Sequence, residues 1–322
     1  MKSISNMIAA ENAFRHTVKL LFKPFNFIAW LMLALSAWLS QIGTELSAWT
    51  NEIVKAVLKS YINEDKEAVN SAVREIGAGN ISALKNIIDI DGLRAINPLW
   101  IVLGVGLFLA LWVLLLWIRS QAQIIFIDNL VHKTTRVLSS FREHFQAGNS
   151  IFLWKIIYHL AAPLLVFGLS AFPLLLAVPW IKGCVAVHKI SMPNGVAITG
   201  FVIAVTLLMF LSLAMKLLVF YFDEFIVPIV FIRRCNAFQA TWIGAGLFKS
   251  HTWTFIKYAL LYFLLYMAGG MLVMLVVLAT CCTAFLLLMI PYVWAVLMLP
   301  LLVFYRLFGL ELLNQMYKDE IW

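Results

Sequence analysis

Six stretches of the chain are mostly apolar: Phe27 to Leu46, Leu99 to Ile118, Tyr158 to Trp180, Val196 to Val219, Tyr258 to Thr280 and Ala284 to Phe304. About 20 apolar residues in a helix cross the hydrocarbon core of a bilayer, so the pattern predicts six transmembrane helices. The last two are the firmest, because 48 residues without a charge separate Lys257 from Arg306. At 1.5 Å per residue that is about 72 Å of helix, enough to cross twice in a hairpin turning near Cys281 to Thr283. The third stretch is expected to be less regular. Pro163, Pro173 and Pro179 interrupt it, and Lys155 and His159 stand at its entrance, where long basic side chains snorkel to the interface.

Between these stretches lie segments of another kind. Ahead of the first, third and fifth spans, apolar residues and one threonine recur every three or four positions, as Met7, Ala10, Phe14 and Val18; Val131, Thr134, Leu138, Phe141 and Phe145; and Phe231, Cys235, Phe238 and Trp242. This spacing is one face of a helix. Two copies share letters: Asn12-Ala13-Phe14 with Thr17 returns as Asn236-Ala237-Phe238 with Thr241, and Leu21-Phe22-Lys23 returns as Leu247-Phe248-Lys249. The expectation is three units, each an interfacial helix (7–22, 128–147, 233–249) followed by a transmembrane hairpin. Residues 47–98 mix charges of both signs with apolar positions at helical spacing, and read as an extracytoplasmic helical insertion in the first hairpin of one transmembrane domain, 1–322. Gly77 and Gly79 mark a helix stop there. The fold class predicted is all-α, a polytopic bundle.

Composition agrees. The chain of 322 residues is 63% hydrophobic and 12% charged, with a mean hydropathy of +0.93, against about 45–50% and 25% in soluble domains. Its first apolar run is too long for a signal-peptide core and is expected to stay as a span. With the N-terminus cytoplasmic, 16 of the 24 lysines and arginines fall on the inner side and the net charge of +8 falls there as well. The positive-inside rule then places both termini in the cytoplasm. The surplus faces lipid in this reading, so no nucleic-acid partner is expected. The four cysteines, Cys184, Cys235, Cys281 and Cys282, form neither a C-x-x-C pair nor a zinc-spaced set.

Asp128-Asn129 through Gly148-Asn149-Ser150-Ile151-Phe152, and Ala237, Thr241-Trp242 and Phe248 after Phe225-Ile226-Val227-Pro228-Ile229, resemble signatures of an uncharacterised group of bacterial multi-spanning inner-membrane proteins. That group is similar to the membrane domain of some glycerophosphoryl diester phosphodiesterases. The likeness covers residues 110 to 270 and implies a bacterial inner membrane and six helices. The phosphodiesterase chemistry belongs to a separate barrel with no counterpart in these residues, so no activity is implied.

No nucleotide, metalloprotease or hydrolase motif occurs, and no catalytic residue, cofactor or metal is expected. Ionisable residues close to a membrane are where function is sought. Lys216, Asp223 and Glu224 form a candidate charge cluster at the interface, where the fourth span is expected to end near Val219 and the acids to meet Arg233 or Arg234. His132 follows Asp128 by one turn, a spacing for a shared proton or ligand or for a plain surface pair. Arg136, Arg142, Arg233, Arg234 and Lys249 are candidates for binding anionic lipid. The function expected is a non-catalytic subunit or scaffold of a membrane complex, with membrane lipids and other subunits or further copies of itself as partners. A transporter or lipid-translocating protein is the alternative, and a lipid head-group enzyme the second alternative.

Overall fold

The computed structural model describes residues 4–42, 98–135, 137–174, 195–280, 288 and 290–317. Over these the chain forms α1 (Asn6–Phe22), α2 (Phe27–Gln41), α3 (Pro98–His132), α4 (Val137–Leu174), α5 (Gly195–Tyr221), a π turn (Phe222–Ile226), α6 (Val227–Arg233), α7 (Ala237–Ala279) and α8 (Pro291–Met316). No strand occurs among the described residues. Among the described residues, five helices are long and apolar enough to cross a membrane: Val102–His132, Val137–Leu169, Ile198–Arg233, Ala237–Ala279 and Pro291–Met316. Their large apolar side chains point outward, as at Leu107, Leu164, Met209 and Leu275. Such a surface is stable against lipid tails rather than water, and the chain is a multi-pass membrane protein.

Several boundaries differ from expectation. The first predicted span is a helix of 15 residues, α2. The fourth does not stop near Val219 but runs on through the π turn to Arg233. Pro163 and Pro173 sit inside α4 without ending it. The 128–147 and 233–249 segments are not single interfacial helices. A turn at Lys133 divides the first and one at Arg234 the second, both residues holding a positive φ (52° and 48°). After each turn the chain runs directly into a long helix, α4 or α7. The Lys133 turn closes as a Schellman motif, with Thr134 N donating to Asn129 O at 3.2 Å, which satisfies a carbonyl that the helix end would leave open. The insertion at 47–98, the hairpin turn near Cys281 and three of the four cysteines lie outside the described residues.

Two compact units divide the chain, one from residues 1–42, 114–156 and 218–322, the other from 43–113 and 157–217. In the second, Tyr158 Oη donates to Met215 O at 3.0 Å, and Trp112 packs edge-on against His159. The first holds the buried core. On α1 the residues Ala9, Ala13, Thr17 and Leu21 are buried at four-residue steps, a stripe of mostly small side chains that lets a neighbouring backbone come close. Gln315 of α8 clamps the start of α1, accepting from Ser5 N at 2.9 Å and donating to Ser5 O at 3.3 Å. Helix α2 is fastened to α8 by Trp30 Nε1 donating to Val296 O and Tyr292 Oη donating to Leu31 O, each at 3.0 Å. Three stretches are buried on every side: 120–130 of α3, 225–230 across the π turn and α6, and 306–314 of α8.

Candidate functional site

A charged centre forms where these stretches meet, and its origin is local. Pro228 has no backbone N–H and its ring crowds the carbonyl four residues earlier, that of Glu224. The helix widens just before it. Val227 N donates to Phe222 O instead of to Asp223 O, the five-residue step of a π turn, a form found most often at functional sites. Asp223 O is thereby left open, and Arg306 Nη1 donates to it.

The Asp223 side chain is held from two more directions. Arg119 Nη2 lies 3.2 Å from Oδ2 and Lys155 Nζ 3.0 Å from Oδ1. Lys155 is buried and also donates to Gln123 Oε1 at 2.7 Å. Glu224 Oε2 accepts from Tyr258 Oη at 3.5 Å. A Cβ at Gly309 would stand 3.1 Å from both Glu224 O and Glu224 Oε2, so this glycine admits α8 to the turn. Polar groups continue between α3 and α4, where Asn149 Oδ1 of α4 accepts from Gln121 Nε2 at 2.8 Å and from Trp117 Nε1 at 2.9 Å, both on α3. Trp154 stacks on Phe222 with ring centroids 3.6 Å apart. Three cations and two carboxylates thus share one enclosed region, which buried charges require if they are to stay ionised.

A second polar group lies around Asp128. His132 Nδ1 is 2.7 Å from Asp128 Oδ1, and His144 Nε2 of α4 is 3.6 Å from the same oxygen. Both rings pack against Phe231. The three polar side chains line an open cavity of about 470 Å³, with Glu143 and Arg234 also on its wall. On α1, His16 Nδ1 lies 2.8 Å from Glu311 Oε1. The carboxylate favours a protonated ring, but burial first, then Lys133 and Lys19, hold the pKa below its ordinary 6.5.

The residues singled out from sequence separate in space. Asp223 and Glu224 join the charged centre, while Lys216 is exposed. The acids meet Arg119, Lys155, Arg306 and Tyr258 rather than the two arginines expected. Arg233 instead lies 4.6 Å from the ring centre of Tyr317, and Arg234 is 3.9 Å from Glu143. Arg142 and Lys249 are exposed, and Arg136 lies outside the described residues. Arg119 and Arg306 were expected only as inner-side charges, and Lys155, expected to snorkel to the interface, is instead buried against Asp223. The signal that points to the site is Pro228, four residues after an acidic pair in an otherwise apolar helix.

No curated protein and no solved structure matches the chain. Kinship with an uncharacterised family holds, whereas a relation to glycerophosphoryl diester phosphodiesterases is not shown. Residues 5–317 match the family of unknown function DUF7544, and the chain belongs to that family.

Proposed function

We propose that this protein is a non-catalytic subunit or scaffold of a bacterial inner membrane, with a basic cytoplasmic side that binds anionic lipid head groups. One observation carries the reading: outside the charged centre, with its inward Arg119, Lys155 and Arg306, the bases turn outward while most acids turn inward. Of the acidic residues in the described stretches, only Glu11 and Glu143 have well exposed side chains, at 59% and 62%. Asp128 and Glu311 are buried, and Asp223 and Glu224 belong to the charged centre. Lys19, Lys133, Arg142, Arg233, Arg234 and Lys249 are exposed. Each base near an anionic leaflet contributes about 1 kcal/mol of attraction. The same reading takes the chain as three related units, each an interfacial segment (7–22, 128–147, 233–249) followed by a transmembrane hairpin.

Native mass spectrometry of the full chain in nanodiscs containing phosphatidylglycerol tests it. Replacing Arg142, Arg234 and Lys249 together with glutamine is expected to lower the phosphatidylglycerol retained, and unchanged retention overturns the reading. Labelling of a cysteine at position 318 but not at 63 only after permeabilising cells is expected if the basic side is cytoplasmic. A lipid-translocating protein is the alternative, favoured by the charged centre within the bundle. Faster flipping of fluorescent phosphatidylglycerol in proteoliposomes, lost in Asp223→Asn, would select it.

A further inference from the structure

We infer that the charged centre is an anion site, in which Arg306, with Arg119 beside it, grips a phosphate-type group. Arg306 is 8% exposed, and its guanidinium is only partly used. Nη1 donates to Asp223 O, while Nε and Nη2 are enclosed with no hydrogen-bond partner in the protein. Arg119 has the same opening at Nε, its Nη2 being taken by Asp223. An enclosed donor without an acceptor is costly, and more so when it carries charge. The open edge of Arg306 is the Nε and Nη2 fork, whose two parallel N–H groups match two oxygens of a phosphate.

Charge points the same way. Arg119, Lys155 and Arg306 against Asp223 and Glu224 leave the centre one positive charge in surplus, which a bound anion neutralises. Glu224 is the internal competitor. Its Oε2 meets Tyr258, and the Arg306 edge remains open. Arg119 and Asp223, whose side chains each keep 17% exposure, are the less enclosed members of the centre, and the proposed anion would approach past them. The inference deepens the lipid reading above and rests on it only for the source of the phosphate, since a lipid head group and free phosphate offer the same oxygens.

Thermal unfolding of the full chain in neutral detergent, titrated with phosphatidylglycerol micelles in one arm and inorganic phosphate in the other, tests the site. A rise in Tm is expected for the wild type. Arg306→Gln should weaken the apparent affinity by about tenfold to hundredfold, the loss of a charge-assisted contact. Arg306→Lys should fall between, keeping the charge without the fork. Glu224→Gln should bind more tightly, because the competing carboxylate is gone; this variant and the wild type decide the matter if the Arg306 variants fail to fold. A rise with phosphatidylglycerol alone assigns a lipid, and a rise in both arms assigns the phosphate group itself. No rise in either arm, equal affinity in Arg306→Gln, or weaker binding in Glu224→Gln overturns the proposal. Binding lost only in the surface triple variant places the site on the basic face and also overturns it. Binding lost only at Arg306 leaves this site standing and removes the surface reading.

Discussion

Lys155 Nζ lies 3.0 Å from Asp223 Oδ1 and donates to Gln123 Oε1 at 2.7 Å, so one ammonium joins α3, α4 and the π turn. Asp223 is the more connected partner, since it also answers Arg119 and offers its carbonyl to Arg306.

The two halves of this pair should therefore not be equivalent. Asp223→Asn leaves two buried cations without their carboxylate, and removing one side of a buried pair costs about 3–5 kcal/mol. Lys155→Met leaves Asp223 paired with Arg119 and is expected to cost less. Unfolding midpoints in a denaturing detergent series compare the two, and equal losses would contradict the hierarchy.

Gly309→Ala should destabilise the chain by about 1–3 kcal/mol, the usual cost of overpacking. The new methyl would meet backbone at Glu224 O as well as Tyr258 Oη at 3.2 Å, and backbone cannot swing aside. Gly246→Ala, which meets nothing within 4 Å, is the matched control and is expected to be neutral or slightly stabilising in the same unfolding measurement.

Asn26 caps α2, its Oδ1 accepting from Ile28 N at 3.0 Å and Ala29 N at 3.1 Å. Asn26→Ala should cost about 1 kcal/mol, and Asn26→Asp should retain the cap. Thermal unfolding followed by tryptophan fluorescence distinguishes the two variants.

Burial pushes the Cys235 thiol above its ordinary pKa of 9, against smaller opposing pulls from its own backbone and Arg233. A raised thiol pKa means less thiolate at neutral pH. Iodoacetamide should thus modify Cys235 more slowly than a free cysteine at pH 7.5, with the rate still climbing beyond pH 9. Arg233→Gln removes a group that favours the thiolate and should slow the reaction further. The measurement uses a chain whose other three cysteines are serine; a rate levelling off by pH 8 would count against the assignment.

The helices were legible because long apolar runs leave the backbone no other way to satisfy its hydrogen bonds in lipid. Runs such as 258–280 show this directly. Where helices end was harder to read, because hydropathy tracks the oil and not the backbone: the fourth span continues past Val219 through the π turn, whose Asp223 and Glu224 are half-buried and paired within the protein. The partners of Asp223 were illegible for a different reason. Arg119 stands 104 residues before it and Arg306 83 after, and no local spacing links them. The amphipathic segments misled at Lys133 and Arg234, where basic residues take a left-handed backbone more common for glycine.

The π turn is a place where the number of residues matters more than their identity. Removing one residue from 223–226 would make the bond from Val227 N to Phe222 O an ordinary four-residue step, restoring helical winding with the residues beyond it still in register. The face of 227–230 would stay where it is, while Asp223 and Glu224, which the wider turn sets against Arg306 and Tyr258, would be re-aimed. Substitutions within the turn change one contact each. A single-residue deletion removes the turn itself, so variation in length here should disturb the charged centre more than variation in sequence.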